Sequence, residues 1–264
     1  MDLISLPDQI LIKITSKLSL QDLLSLGDSH TRLRSFIYES PEIWTSNILF
    51  PKNDRKITDI FIQLIIPRIT RHYGILSLRM IQLPSVSWKG YFLIFDQFAH
   101  SVKRIHIELT NTKVLWDLAH HLAIFAGYLV VLQKTNQIPI TFKQYYALHD
   151  EERYAAILAK SKYLGQHSLE ALCENLVKRY QLDDPPFERL ELFDLKFVSV
   201  LETYHEVNNA IRQIKLLSLF LSGHHLQLDK RKRGEDHGLN NESYKYIKPD
   251  KEEGQLYHHQ PQHT

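Results

Sequence analysis

Apolar residues recur at steps of three and four through three short stretches at the start of the chain. Ile10, Leu11, Ile14 and Leu18 mark one helical face, with Lys13 and Lys17 pointing elsewhere. Pro7 suits the first turn of that helix, where its fixed φ helps and its missing N–H costs nothing, and Asp8 sits well against the helix dipole. Ser19-Leu20-Gln21-Asp22 has the form of a capping box opening a second helix through Leu20, Leu23, Leu24 and Leu26, with Gly27 expected to close it. A third helix is predicted from Thr31 to Tyr38, with Leu33, Phe36 and Ile37 on one side and Arg32 and Arg34 on the other. Ser40-Pro41-Glu42 restarts the chain and aims Ile43 and Trp44 inward.

After the polar stretch Pro51 to Lys56, Ile57 to Tyr73 is helical again, kinked or ended at Pro67. Ile75 to Pro84 reads as a strand with Leu76, Leu78 and Met80 on one face, Trp88 to Ala99 as a helix, and Val102 to Leu109 as a second alternating strand. The 27 residues from Leu78 to Ile105 fall within the repeat length of leucine-rich repeats. A second strand pair is expected at Phe187 to Leu195 and Ile214 to Leu219, with Val198 to Ala210 helical between them. The repeat's usual Asn or Cys is missing, so the body resembles a degenerate leucine-rich repeat, and any α/β layer with parallel strands fits the same pattern.

Between the strand pairs lies a helical block, Val114 to Lys134, Phe142 to Lys162 and Ser168 to Tyr180, ending at Asp183-Asp184-Pro185-Pro186. If the flanking strands share one sheet, this block is an insertion. Its most apolar run, Leu122 to Leu132, is 11 residues long, short of the ~20 of a membrane span, and reads as a buried helix.

Composition narrows the function classes. At 44% hydrophobic and 23% charged, the chain has the makings of a real core, and 32 basic against 30 acidic residues argue against a partner bound by phosphate neutralisation. The single Cys173 excludes an intramolecular disulfide and a cysteine zinc cluster, and it reads as a small buried hydrophobe in a reducing compartment. No secretory signal is read at Met1-Asp2-Leu3, so cytoplasm or nucleus is expected, and Lys230-Arg231-Lys232-Arg233 in a polar, disordered tail fits a nuclear localisation signal or a solvated charge run. The glycines form no nucleotide cradle, and no nucleophile elbow or zinc-helix pair is present. The doublets His120-His121, His224-His225 and His258-His259 place side chains about 100° apart on a helix and lack a carboxylate or Cys at i+4, so no metal and no cofactor is expected. Trp88, Tyr91, Phe92, Phe95 and Phe98 at helical spacing are core first, with any exposed member a candidate anchor for a target.

Three short helices bury little by themselves and call for company. The order Leu6-Pro7, an Ile/Leu helix, Ser19-Leu-x-Asp-Leu-Leu-x-Leu26, a basic turn and Ser40-Pro-x-x-Trp44 resembles an F-box. The resemblance implies docking on the Skp-type adaptor of a cullin-RING (SCF-type) ubiquitin ligase, and through it on cullin and RING proteins, with the rest of the chain selecting an unknown target protein. It implies adaptor contacts from Leu6, Pro7, Ile10, Ile14, Leu18, Leu23, Leu24 and Trp44, and no catalytic residue in this chain. Asp28-Ser29 and Leu33 depart from the usual pattern and predict a looser junction between the second and third helices, which keeps a non-ligase F-box scaffold in play. The expected architecture is helix-rich α+β or α/β: a three-helix F-box over 1–50, an irregular leucine-rich-repeat-like body over 51–228 and a disordered tail over 229–264, with neither nucleic acid nor membrane as partner.

Overall fold

The computed structural model describes residues 2–44, 48–69, 75–148, 152, 168–198, 205–227 and 245–247. A 3-10 turn at Leu3–Ser5 leads into α1 (Asp8–Thr15), with Pro7 at its N-cap. Ser19 caps α2 (Leu20–Ser29): its Oγ accepts from Asp22 N at 3.2 Å and donates to Asp22 Oδ2 at 2.6 Å. The helix does not stop at Gly27 as expected. Gly27 lies inside it, where a Cβ would stand 3.4 Å from the Tyr38 ring of α3 (Thr31–Glu39), an ordinary van der Waals contact. His30 does the stopping, with an extended backbone at φ −155° and an Nδ1 that accepts from Arg32 N at 3.1 Å to cap α3. The short α4 (Pro41–Trp44) follows.

Four parallel strands come next, β1 (Ile48–Leu49), β2 (Ser77–Ile81), β3 (Arg104–Leu109) and β4 (Leu192–Phe197), lying side by side in chain order. Parallel neighbours need crossovers, and helices supply them. α5 (Asp59–Ile69), with Pro67 inside it, joins β1 to β2, and α6 (Trp88–Phe98) joins β2 to β3. Leu78 pairs with Ile105. β3 and β4 are direct neighbours, with Ile105 opposite Phe193, so α7 (Thr112–Lys134), α8 (Phe142–Ala147) and α9 (Leu169–Arg179) are an insertion between paired strands.

The expected second strand pair is overturned. Ile214 to Leu219 lies within α10 (His205–Leu221), where Ile214, Leu217 and Leu221 are fully buried at helical steps. A short apolar run satisfies either period, and Val207 and Ala210 extend the helical one. Strands β1 to β4 therefore form an α/β layer of parallel strands, without the extra pair that the repeat reading leaned on. The helix expected from Phe142 to Lys162 is α8 up to Ala147, and most of the remainder lies outside the described residues. The tail was expected to be disordered throughout, but Lys245–Ile247 (β6) pairs antiparallel with His225–Gln227 (β5). Lys230 to Arg233 fall outside the described residues.

One face of the sheet carries Leu78, Met80, Ile105, Ile107, Leu109 and Leu195, all buried. Trp88, Tyr91, Phe92, Phe95 and Phe98 of α6 are all core, which leaves none exposed as an anchor. Phe92 meets Phe142 edge-on at 5.3 Å and Phe95 meets Phe187 at 5.4 Å, fastening the insertion to the layer. Helix α7 is long and apolar enough for a membrane span by length, yet 67% of its apolar window is buried inside the protein, the mark of a core helix. Leu76, expected on the inner face, is exposed because it precedes the strand. The apolar core runs without a break from Leu20 and Leu23 of α2 to Leu217 and Leu221 of α10.

Candidate functional site

Helix α1 has two unlike sides. Leu11 and Thr15, four residues apart, face inward and are buried, and Thr15 Oγ1 donates to Leu11 O at 2.8 Å, which keeps a buried hydroxyl satisfied. Ile10 and Ile14, also four apart on the helix, form the outer stripe, with Leu6 ahead of it on extended backbone. Ile10 is 42% exposed, Pro7 is exposed, and Leu6, Ile14 and Leu18 are half-buried. Ile10, the third residue of the eight-residue helix, is the most exposed of these Leu and Ile positions.

The angle of this stripe is set from α3. The Arg32 guanidinium donates to Leu6 O at 3.1 Å and to Ile4 O, and it lies 3.5 Å from Asp8 Oδ1. The ion pair is exposed and adds little stability. The two carbonyl contacts hold the 3-10 turn against α3 and so fix where α1 begins.

Leu23, Leu24 and Trp44 require correction as adaptor contacts. All three are buried in the chain's own core, because α2 packs its Leu face onto α3 and the body. Trp44 is 2% exposed, and its indole N–H donates to Ile37 O at 2.5 Å. These residues back the outer stripe; they are not part of it.

At the junction between α2 and α3, Asp28 pairs with Arg34 at 3.2 Å on the exposed surface, Ser29 Oγ donates to Leu26 O at 2.7 Å, and Leu33 is buried. An open cleft of about 790 Å³ lies beside this junction, with Arg34 and Tyr38 of α3 facing Arg68 of α5.

The helices are tied firmly to the body. Gln21 Nε2 donates to Asp54 Oδ2 at 2.5 Å, Phe50 N donates to Arg79 O at 3.4 Å, and β1 pairs with β2.

A second surface lies on the sheet face turned away from the core. His106 Nδ1 is 2.7 Å from Asp194 Oδ2, and its Nε2 is 3.2 Å from Glu108 Oε1. Burial pushes the Glu108 carboxyl up, but hydrogen bonds from His106 and Gln82 and the charges of His106 and Lys52 outweigh it and hold the group below its ordinary value. No group of three or more potential metal ligands occurs among the described residues. His121 stacks on Trp88 at 3.6 Å and meets Tyr145 Oη at 3.0 Å, and His224 Nδ1 lies 2.6 Å from Ser222 Oγ, so these doublet members are occupied structurally. Cys173 is fully buried. Sequence reasoning missed Arg32 as the brace of α1, since it was read only as the polar side of α3. It also missed the charged sheet face, whose one signal was the polar half of the Arg104-Ile-His-Ile-Glu-Leu109 alternation.

A two-sided α1, a capped α2, an α3 that braces the start of α1 and a closing buried Trp together make up an N-terminal helical unit. Residues 3–49 match the F-box-like family model, and this segment of the chain is an F-box-like domain. The match ends on β1, the first strand of the sheet. No curated protein and no solved structure matches the chain.

Proposed function

We propose that the chain is a target-recognition subunit of an SCF-type cullin-RING ubiquitin ligase, seating the outer stripe of α1 on a Skp-type adaptor and presenting a target protein through its body. The observation that carries this is Ile10, 42% exposed on the Ile10–Ile14 stripe within the F-box-like segment. In this mechanism the chain performs no bond chemistry. Holding a target near the charged conjugating enzyme raises the effective concentration of its lysines, and the thioester chemistry belongs to other subunits.

Rigidity supports that role. The F-box-like segment ends in a strand of the body sheet and shares its core, so a target on the body keeps a defined orientation toward the adaptor. We place the protein in the cytoplasm or nucleus, with Lys230 to Arg233 as a nuclear localisation signal.

The rival, a non-ligase F-box scaffold, draws on the Asp28-Ser29 step. Co-sedimentation of the purified chain with adaptor and cullin separates the two. Cullin recovered through the adaptor is the expected result, and adaptor recovered without cullin overturns the ligase reading in favour of the scaffold.

A further inference from the structure

The outward face of the sheet is a grid set by strand register. Its rows are Ser77–Arg104–Leu192, Arg79–His106–Asp194 and Ile81–Glu108–Lys196. Every carboxylate there already has a partner. Asp194 faces His106 and lies 3.6 Å from Lys196, Glu108 faces His106 and Gln82, and at the rim Glu191 pairs with Lys103 at 2.9 Å. Arg79 and Arg104 are exposed, and among the described residues no carboxylate pairs with either. The uncompensated charge of this face is therefore positive, and it lies beside Leu192, an aliphatic side chain 55% exposed.

We propose that this face docks an extended acidic segment of a partner protein, carboxylates two residues apart meeting Arg79 and Arg104 while an aliphatic side chain two residues further along, on the same face of the segment, covers Leu192. Arg79 stands opposite His106, so it lies one strand across and two residues along from Arg104. That diagonal is about 8 Å, close to the two-residue repeat of about 7 Å in an extended chain. Carboxylates at every second position of an extended chain share one face and thus match the grid, and guanidinium forks suit carboxylate geometry. The inference rests on the body being the target-presenting part, and it deepens that reading by naming the chemistry of the target segment.

The test uses the full chain and a short labelled Glu-Ser-Glu-Ser-Leu peptide (Glu–Leu), with matched peptides carrying Lys (Lys–Leu) or phosphoserine (phosphoserine–Leu) in place of Glu. The Glu–Leu peptide is expected to bind in preference to the Lys–Leu peptide, more weakly as salt rises. The double variant Arg79→Glu/Arg104→Glu is expected to lose Glu–Leu binding by on the order of tenfold or more and to gain binding of the Lys–Leu peptide, a gain that misfolding does not produce. Equal binding of Glu–Leu and Lys–Leu peptides by the unaltered chain, binding of the phosphoserine peptide alone, or indifference to the double variant overturns the proposal. Adaptor recovery is measured in parallel and is expected to match the unaltered chain, since both arginines sit on strands outside the F-box-like segment. An unaltered chain that fails to recover adaptor refutes the docking role, while the peptide result still decides the chemistry of this face.

Discussion

Arg32 on α3 donates to the carbonyl oxygen of Leu6 at 3.1 Å across 26 positions of sequence, so the polar side of one helix decides where another begins. Arg32→Ala is expected to cost about 1 kcal/mol of folding stability or less, because the side chain is 44% exposed. It should weaken adaptor binding by about tenfold, because the start of α1 is no longer fixed. Urea unfolding and titration calorimetry on the same variant check both halves, and equal losses in the two would reduce Arg32 to an ordinary surface residue.

Trp44 is predicted to act through the fold and not through contact with a partner. Trp44→Ala should cost about 3–5 kcal/mol from the cavity it leaves. Trp44→Phe should cost about 1–3 kcal/mol, because it strips the donor from the buried Ile37 carbonyl. Urea midpoints measure both. A Trp44→Ala protein of unchanged stability that fails to bind adaptor would return the residue to the contact surface.

Gly90 sits in α6 where a Cβ would stand 2.4 Å from Asp59 Oδ1 and 2.7 Å from Val86 Cγ1. Asp59 accepts from Ser87 N at 2.9 Å and from Ser87 Oγ at 2.5 Å, so it has little room to retreat. Gly90→Ala is therefore expected to destabilise by about 1–3 kcal/mol, against the gain of about 1 kcal/mol that helix propensity alone would give. A lowered thermal midpoint is the expected result, and a raised one would mean that Asp59 swings away at no cost.

The carboxyl of Glu108 is held below its ordinary value in the folded chain, so it contributes stability above the unfolded value of 4.5 that is lost as pH falls through the folded one. Glu108→Gln should be less stable than the unaltered protein near neutrality, with the gap closing through the acid limb. Urea midpoints collected from neutrality downward test this, and a gap that stays constant or widens on acidification contradicts it.

Much of the F-box-like segment was legible because each helix announces itself locally, through Pro7, Ser19 and apolar steps of three and four. What its positions contribute was less so. Periodicity finds the greasy residues but does not say whether they meet their own chain or another, and Leu23, Leu24 and Trp44 went inward while Ile10 stayed out. The β2–α6–β3 unit was readable from alternation and helical spacing. Ile214 to Leu219 was misread because an unbroken apolar run suits a buried strand or a buried helix equally. That β4 returns to pair with β3, His106 meeting Asp194 across 88 positions, is a tertiary fact that no local pattern encodes.

The most direct measurement is adaptor binding by Ile10→Asp in the full-length chain, beside a thermal unfolding scan of the same protein. Ile10 is exposed, so the charge should leave the unfolding transition in place while a Skp-type adaptor, bound by the unaltered chain, is lost. Undiminished adaptor binding by a folded Ile10→Asp protein would contradict the account, because the stripe on α1 would then not be the docking face.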